Sequence, residues 1–203
     1  MKIKSYEDFI AGLFFILFGG LSAYLSTAYN MGTGAAPFDT LQVADIGDIA
    51  TNPYNLLDSV ARIEAGYREL LQHEVIPLGL GGDHTVTLPI LRAIAAKHGP
   101  VGLIHVDAHA DINDEMFGEK IAHGTTFRRA VEEGLLDCDR VVQIGLRGTG
   151  YAAEDFDWCR QQGFRVVQAE ECWGKSLAGL MQQAVTRARG ASAACRTASP
   201  GAR

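Results

Sequence analysis

The sequence lacks any excess of positive charge. Its 203 residues carry 18 lysine and arginine side chains against 24 aspartate and glutamate side chains, so the formal net charge is −6. Because nucleic-acid binding needs a basic surface that neutralises phosphates, this balance argues against a nucleic-acid partner. With 47% hydrophobic and 21% charged residues, the composition is that of an ordinary folded protein, and the length suffices for one α/β domain.

Closely spaced cysteines are also missing. The four cysteines, Cys138, Cys159, Cys172 and Cys195, form no CxxC pair. Their spacing argues against a thiolate zinc site, and it is typical of separate thiols in a reducing compartment.

A run of twenty residues without a charge lies near the N-terminus, from Phe9 to Ala28. Its length matches the roughly 20 residues with which a helix crosses a bilayer. Three interpretations stay open: a membrane-spanning helix that gives membrane association, a signal peptide ending near Ser26–Ala28, or a buried core helix. With its Gly-spaced apolar run and its Tyr29–Thr33 ending, the segment resembles the first span of small membrane subunits of tripartite tricarboxylate transporters. We therefore separate residues 1–36 as an apolar helical segment and a candidate membrane span.

Residues 37–188 alternate between short strands and helices. Runs rich in β-branched residues predict strands at Leu41–Ala44, Val75–Leu80, Val101–Val106, Val141–Leu146 and Phe164–Val167. Helical spacing predicts a first helix after an N-cap at Asn55, and further helices at Val86–Lys97, Thr125–Glu133, Ala153–Gln162 and Ser176–Arg187. The alternation predicts a three-layer α/β fold, with a mostly parallel sheet covered by helices on both faces. Residues 189–203 break this pattern, and we expect them to be a disordered or aberrant tail.

Two predicted strands lead directly into residues of the types that commonly bind metals. One leads into Gly81-Gly82-Asp83-His84, and the other leads into Asp107, His109 and Asp111. If the chain stays extended, the latter three side chains point to one face and converge at the carboxyl edge of the sheet. Carboxylates crowded in this way require a cation. Carboxylate and imidazole donors without thiolate favour Mn²⁺ or a similar divalent ion.

A third motif, His123-Gly-Thr-Thr-Phe-Arg-Arg-Ala130, follows in the chain. Together and in this order, the three motifs resemble those of the ureohydrolase (arginase/agmatinase) family, in its agmatinase or guanidino-acid hydrolase branch. The resemblance covers about Leu41 to Leu180. It implies that His84, Asp107, His109 and Asp111 bind manganese, of which the family holds two ions. It also implies that His123 passes a proton to the departing amine. Two neighbouring residues keep two interpretations each: Asp83 orients a ligand or caps the following helix, and His105 orients a ligand or belongs to the core.

The resemblance implies manganese-dependent hydrolysis of a small guanidino compound. Candidate substrates are agmatine, giving putrescine and urea, and a guanidino acid such as 4-guanidinobutanoate; the family also implies a cytoplasmic hydrolase domain and a homo-oligomer. However, the family places an Asp-x-Asp at the end of a later strand, and no acidic residue follows Met181 here. We therefore expect a chain truncated at both ends, with one manganese or none retained and with impaired activity. The alternative is a non-catalytic fragment or a membrane-tethered metal-binding module.

Overall fold

The computed structural model describes residues 44–148 and 155–190. By its contacts the chain divides after Gly47, and the fold described below is that of the unit that begins at Asp48. The predicted apolar segment 1–36, with its candidate span at 9–28, lies outside the described residues. Of the predicted tail 189–203, only Arg189 and Gly190 are described, and Arg189 is the last residue of a helix that begins at Ala178. Within the described parts, no helix combines the length and the apolar character that crossing a membrane requires.

The described chain opens with two helices that pack on each other. Helix α1 spans Leu56–Leu70, and the side chain of Asn55 caps it by accepting a hydrogen bond from the Asp58 backbone N–H at 3.0 Å, as the sequence predicts. Helix α2 spans Thr87–His98 and ends at Gly99, whose φ of +76° suits a glycine. Buried side chains at helical spacing on α1, Ile63 and Tyr67 among them, pack against α2.

The sheet has three described strands, all parallel, in the order β1-β2-β3. They are β1, Val101–Val106; β2, Leu136–Leu146; and β3, Arg165–Gln168. The connections carry α3, Thr126–Glu132, and α4, Asp155–Gln161, and the last described helix is α5, Ala178–Arg189. Strand β2 begins five residues before the predicted start at Val141, while the four helices after α1 each lie within about two residues of their predicted bounds.

Both faces of the sheet are covered, as predicted. Successive residues of β2 pack on opposite faces of the sheet, because side chains alternate in direction along a strand. Val141 joins a core with α2, α3 and Phe164, whereas Val142 and Ile144 join a core with Ala184 of α5. The approach of α5 is close: a Cβ on Gly102 would lie 2.1 Å from the Ala188 carbonyl oxygen, so β1 needs a glycine there.

The prediction of a strand at Val75–Leu80 is wrong. The segment has no strand assignment, and the side chains of Ile76, Leu78 and Leu80 are exposed by 96%, 87% and 94%. A strand requires a hydrogen-bonding neighbour, and none of the described strands pairs with this segment. Of the predicted strand Leu41–Ala44, only Ala44 is described, and it belongs to no strand.

Candidate metal centre

Four potential metal donors meet at the carboxyl end of β1. One side-chain donor atom each of His84, His105, Asp107 and Asp111 lies within 4.8 Å of all the others. His84 Nδ1 contacts Asp111 Oδ2 directly and lies 3.9 Å from Asp107 Oδ2. The hydrogen bond to Asp111 raises the pKa of His84 against the opposing effect of burial. The structure thus brings together three of the four predicted ligands, and it adds His105 to them.

Asp107 is held from two sides. Its Oδ1 accepts a hydrogen bond from the His109 backbone N–H at 2.9 Å, and its Oδ2 lies 3.6 Å from Nε2 of the buried His105. Burial raises the pKa of the Asp107 carboxyl, but the His109 N–H and the neighbouring imidazoles outweigh it, so the net pKa lies below the usual value. Burial, with the nearby His84, lowers the pKa of His105 to about 4. Asp107 is therefore an anion beside a neutral His105 at neutral pH.

His109 lies apart from the other predicted ligands. Its side chain is 62% exposed, and its Nδ1 is 3.5 Å from Asp107 Oδ1. The strand ends at Val106, and Asp111 has a positive φ of 52°. The backbone therefore does not stay extended through Asp107, His109 and Asp111, which is the condition under which the sequence predicts their convergence. Asp111 reaches the cluster through a left-handed turn instead.

An open cleft of about 420 Å³ gives access to the cluster. His123, the predicted proton carrier, is exposed and lines this cleft together with His84, Asp107 and His109. Asp83 also lines it, and its Oδ1 accepts the Thr85 backbone N–H at 2.8 Å, which caps the short 3₁₀ turn His84–Val86. Asp83 therefore fixes the turn that carries His84.

The start of α3 supports the cluster from behind. Thr126 donates its hydroxyl to the His84 carbonyl oxygen at 3.1 Å, and the Phe127 N–H donates to the Asp111 carbonyl oxygen at 2.9 Å. The Phe127 ring meets the His84 ring edge-on at 5.3 Å and lies 4.4 Å from the His105 ring. The third motif thus holds the backbone and the rings of the other two.

The loop before this motif is tied down by ion pairs. Asp114 accepts from Lys120 at 2.7 Å and from Arg129 at 2.8 Å. Lys120, and then Arg129, lower the pKa of the Asp114 carboxyl to about 2. The carboxylate is exposed, so these pairs are screened by water and salt. In this structure, Asp114 anchors the loop to α3 and does not line the cleft.

The chemistry of this donor set fits a divalent cation. Two carboxylates and the His84 imidazole converge beside His105, and no lysine or arginine in the described part of the chain lines the cleft. Two carboxylates crowded together in this way are costly without a counter-charge. Oxygen and imidazole donors suit manganese better than a structural zinc site.

Comparison with known proteins assigns the family. A family model described as the arginase family matches residues 20–195. The chain belongs to the arginase family. It is 74% identical over 155 residues to a guanidinobutyrase from Pseudomonas aeruginosa. The matched residues make up 76% of this chain and 49% of that protein.

Solved structures of the arginase family share the fold. Proclavaminate amidino hydrolase from Streptomyces clavuligerus matches with a TM-score of 0.70 and 34% identity, covering 76% of this chain and 52% of that one. A formiminoglutamase from Trypanosoma cruzi, solved with Mn²⁺, matches with a TM-score of 0.64 and 25% identity, covering 71% and 48%. The chain spans about half the length of the curated relatives it matches.

Two supports of this arginase-family site escape sequence reasoning. Gln143 of β2 is fully buried and donates through Nε2 to the Ala110 carbonyl oxygen at 2.9 Å. The same nitrogen lies 3.2 Å from His105 Nδ1. A polar residue in the middle of an apolar strand, Val141-Val142-Gln143-Ile144, is the sequence signal that could have found it. Phe127 belongs to the third motif, but the motif does not predict its ring contacts with His84 and His105.

Proposed function

We propose that this chain takes part in the manganese-dependent hydrolysis of a small guanidino compound to urea and an amine. The observation that carries the proposal is the cluster of His84, Asp107 and Asp111 at the carboxyl end of β1, in an arginase-family chain. His109, 3.5 Å from Asp107, is proposed as a further ligand that reaches the ion by a ring rotation. Measuring the bound metal tests whether the chain holds one ion or two.

The proposed substrate is a guanidino acid of the 4-guanidinobutanoate type. The support is the 74% identity to a protein named guanidinobutyrase. Agmatine is the alternative implied by the sequence motifs, and it differs in carrying an amine where the guanidino acid carries a carboxylate. Both substrates present the same guanidino group to the cleft.

In the proposed reaction, a water molecule adds to the guanidino carbon and the bond from that carbon to the alkyl nitrogen breaks. Manganese, when bound, supplies Lewis-acid activation of the attacking water. His84, Asp107 and Asp111 hold the ion, while His105 keeps Asp107 in place. His123, exposed on the cleft wall, gives a proton to the departing alkyl nitrogen, since an imidazole exchanges protons readily near neutral pH. The products are urea and the free amine.

The test measures urea release and bound metal on the same protein. The purified chain is loaded with Mn²⁺ and assayed with 4-guanidinobutanoate and with agmatine. Asp111→Asn should abolish urea release and weaken Mn²⁺ binding, whereas Asp157→Asn, an exposed carboxylate on α4, should leave both unchanged. Two bound ions with urea release support the proposal. One ion or none, with no urea from either substrate, contradicts it and leaves a non-catalytic metal-binding protein.

Assembly and location are proposed from the same resemblance. We infer a cytoplasmic homo-oligomer, as the family implies. Light scattering on the purified chain gives the mass directly, and a monomer at all concentrations contradicts the oligomer. Fractionation of expressing cells tests the location.

A further inference from the structure

A buried glutamine lies beside the metal cluster without being part of it. Gln143 is fully buried on β2, and its Cα pairs with that of His105 on β1 in the parallel register. Its Nε2 lies 2.9 Å from the Ala110 carbonyl oxygen and 3.2 Å from His105 Nδ1. An uncharged polar group is costly to bury, so its contacts must compensate for lost hydration.

The Ala110 carbonyl determines which way the Gln143 amide faces. A carbonyl oxygen only accepts hydrogen bonds, so the amide atom opposite it must be the donor, Nε2. Rotating the amide by half a turn would place Oε1, on a fully buried side chain, against another acceptor. The –NH₂ group has two hydrogens, and with one directed to Ala110 the other is available to His105.

The second hydrogen fixes the tautomer of His105. Because Nε2 of Gln143 donates, His105 Nδ1 must accept, and a neutral imidazole that accepts at Nδ1 carries its hydrogen at Nε2. That Nε2 is buried, has no hydrogen-bond partner among the described residues, and lies 3.6 Å from Asp107 Oδ2. An N–H at this position can donate to Asp107, but it has no lone pair for a metal ion.

We propose that Gln143 locks His105 in the Nε2–H tautomer, so that His105 is a positioning residue that donates to Asp107 and is not itself a metal ligand. The consequence for metal binding rests on the proposed function. The His109 backbone N–H donates to Oδ1, and the proposed His105 N–H is directed at Oδ2 from 3.6 Å, so Asp107 is oriented from both sides while its remaining lone pairs are free for the ion. Gln143 donates to His105, and His105 in turn donates to Asp107, so the proposed series of hydrogen bonds runs from β2 to the cluster.

The proposed Nε2–H tautomer of His105 is tested first on the metal-free chain. Long-range ¹H–¹⁵N spectra of ¹⁵N-labelled protein distinguish a protonated from an unprotonated ring nitrogen. His105 should show an unprotonated Nδ1 and a protonated Nε2, and Asp107→Ala should shift the Nε2–H resonance by removing its acceptor. A hydrogen on Nδ1 in the wild-type chain overturns the proposal, whether or not the chain binds manganese or releases urea.

Variants of Gln143 then distinguish the effect of its hydrogen bond on the His105 tautomer from the effect of its packing. Gln143→Met keeps the volume but removes both donors, and Gln143→Glu places an acceptor against Nδ1, which should reverse the tautomer. Both should weaken Mn²⁺ binding, measured by calorimetry, by about 10- to 100-fold. Gln162→Met, the same change at a half-buried position at the end of α4, is the matched control and should leave the His105 spectrum and Mn²⁺ binding unchanged. Circular dichroism selects the Gln143 variant that folds.

The outcomes discriminate between the two proposals. An unchanged His105 spectrum in a folded Gln143 variant refutes the lock. A changed spectrum with unchanged Mn²⁺ affinity refutes the positioning role. If the wild-type chain binds no Mn²⁺ at all, the proposed function fails, while the metal-free spectra still decide the tautomer.

Discussion

Replacing Phe127 with leucine tests whether the start of α3 supports the metal cluster. Phe127 is 1% exposed, and its ring lies 5.3 Å from the His84 ring and 4.4 Å from the His105 ring. Leucine keeps an apolar side chain in the core but lacks the aromatic ring that both imidazoles contact. The backbone hydrogen bond from residue 127 to Asp111 is retained, so the change isolates the ring.

The magnitude follows from the two ring contacts. Each aromatic pair contributes about 0.5–1.5 kcal/mol beyond the burial of its area, so losing both destabilises the fold by about 1–3 kcal/mol. The imidazoles of His84 and His105 also gain rotational freedom. Since residues that orient metal ligands typically change affinity by about 10- to 100-fold, we expect Mn²⁺ binding to weaken by about tenfold.

The assay pairs calorimetric Mn²⁺ titration with urea unfolding. Leu136→Ala is the matched control, because Leu136 is 6% exposed in the same core but lies at the start of β2, opposite Val101 and away from Asp107. It should cost about 2–3 kcal/mol of stability without changing Mn²⁺ affinity. Equal losses of affinity in both variants, or none in Phe127→Leu, would refute the supporting role of the ring.

Three further predictions concern other parts of the described fold. Gly148→Ala should weaken Mn²⁺ binding, because its Cβ would lie 2.2 Å from Cδ2 of His109 and displace that ring; Gly179→Ala, where a Cβ meets nothing within 4 Å, is the calorimetric control. Asn55→Ala should lower the free energy of unfolding by about 1 kcal/mol in urea titrations through loss of the α1 cap, and serine there should restore most of it. The pKa of Asp114 is lowered to about 2, so its ion pairs contribute stability above about pH 4 that is lost as the pH falls towards 2. The difference in unfolding free energy between wild type and Asp114→Asn should therefore shrink over that range and also with added salt; a constant difference would contradict this.

The local parts of the fold are predictable from the sequence. Asn55 caps α1 because its side chain and the Asp58 N–H are neighbours in the chain, and short-range chemistry of this kind leaves a clear pattern. Strand β1 matches its predicted bounds, Val101–Val106, for a similar reason. Its apolar run is bounded by Pro100 and Asp107, which mark the ends without reference to the rest of the fold.

Features that depend on distant partners are not predictable in this way. Val75–Leu80 has the composition of a strand, but becoming one requires a neighbouring strand, and composition carries no information about that neighbour. The left-handed turn at Asp111 could not be predicted from the sequence for a related reason. The Asp111 carbonyl oxygen accepts a hydrogen bond from the backbone N–H of Phe127, which lies sixteen positions later in the chain. The motif therefore identifies the residues but not the path by which they meet.

Several contacts that order the metal cluster come from secondary-structure elements. Thr126 and Phe127 at the start of α3 hold His84 and Asp111, and Gln143 on β2 holds His105. Such supports are arranged before any ion arrives, so the entropy of ordering the donors is lost on folding and not on binding. Metal affinity should therefore depend on the stability of β1, β2 and α3, whereas substrate turnover also depends on the walls of the open cleft. It follows that variants of the supports should change Mn²⁺ affinity first, and that His123→Asn, on the cleft wall, should reduce urea release while leaving Mn²⁺ affinity unchanged.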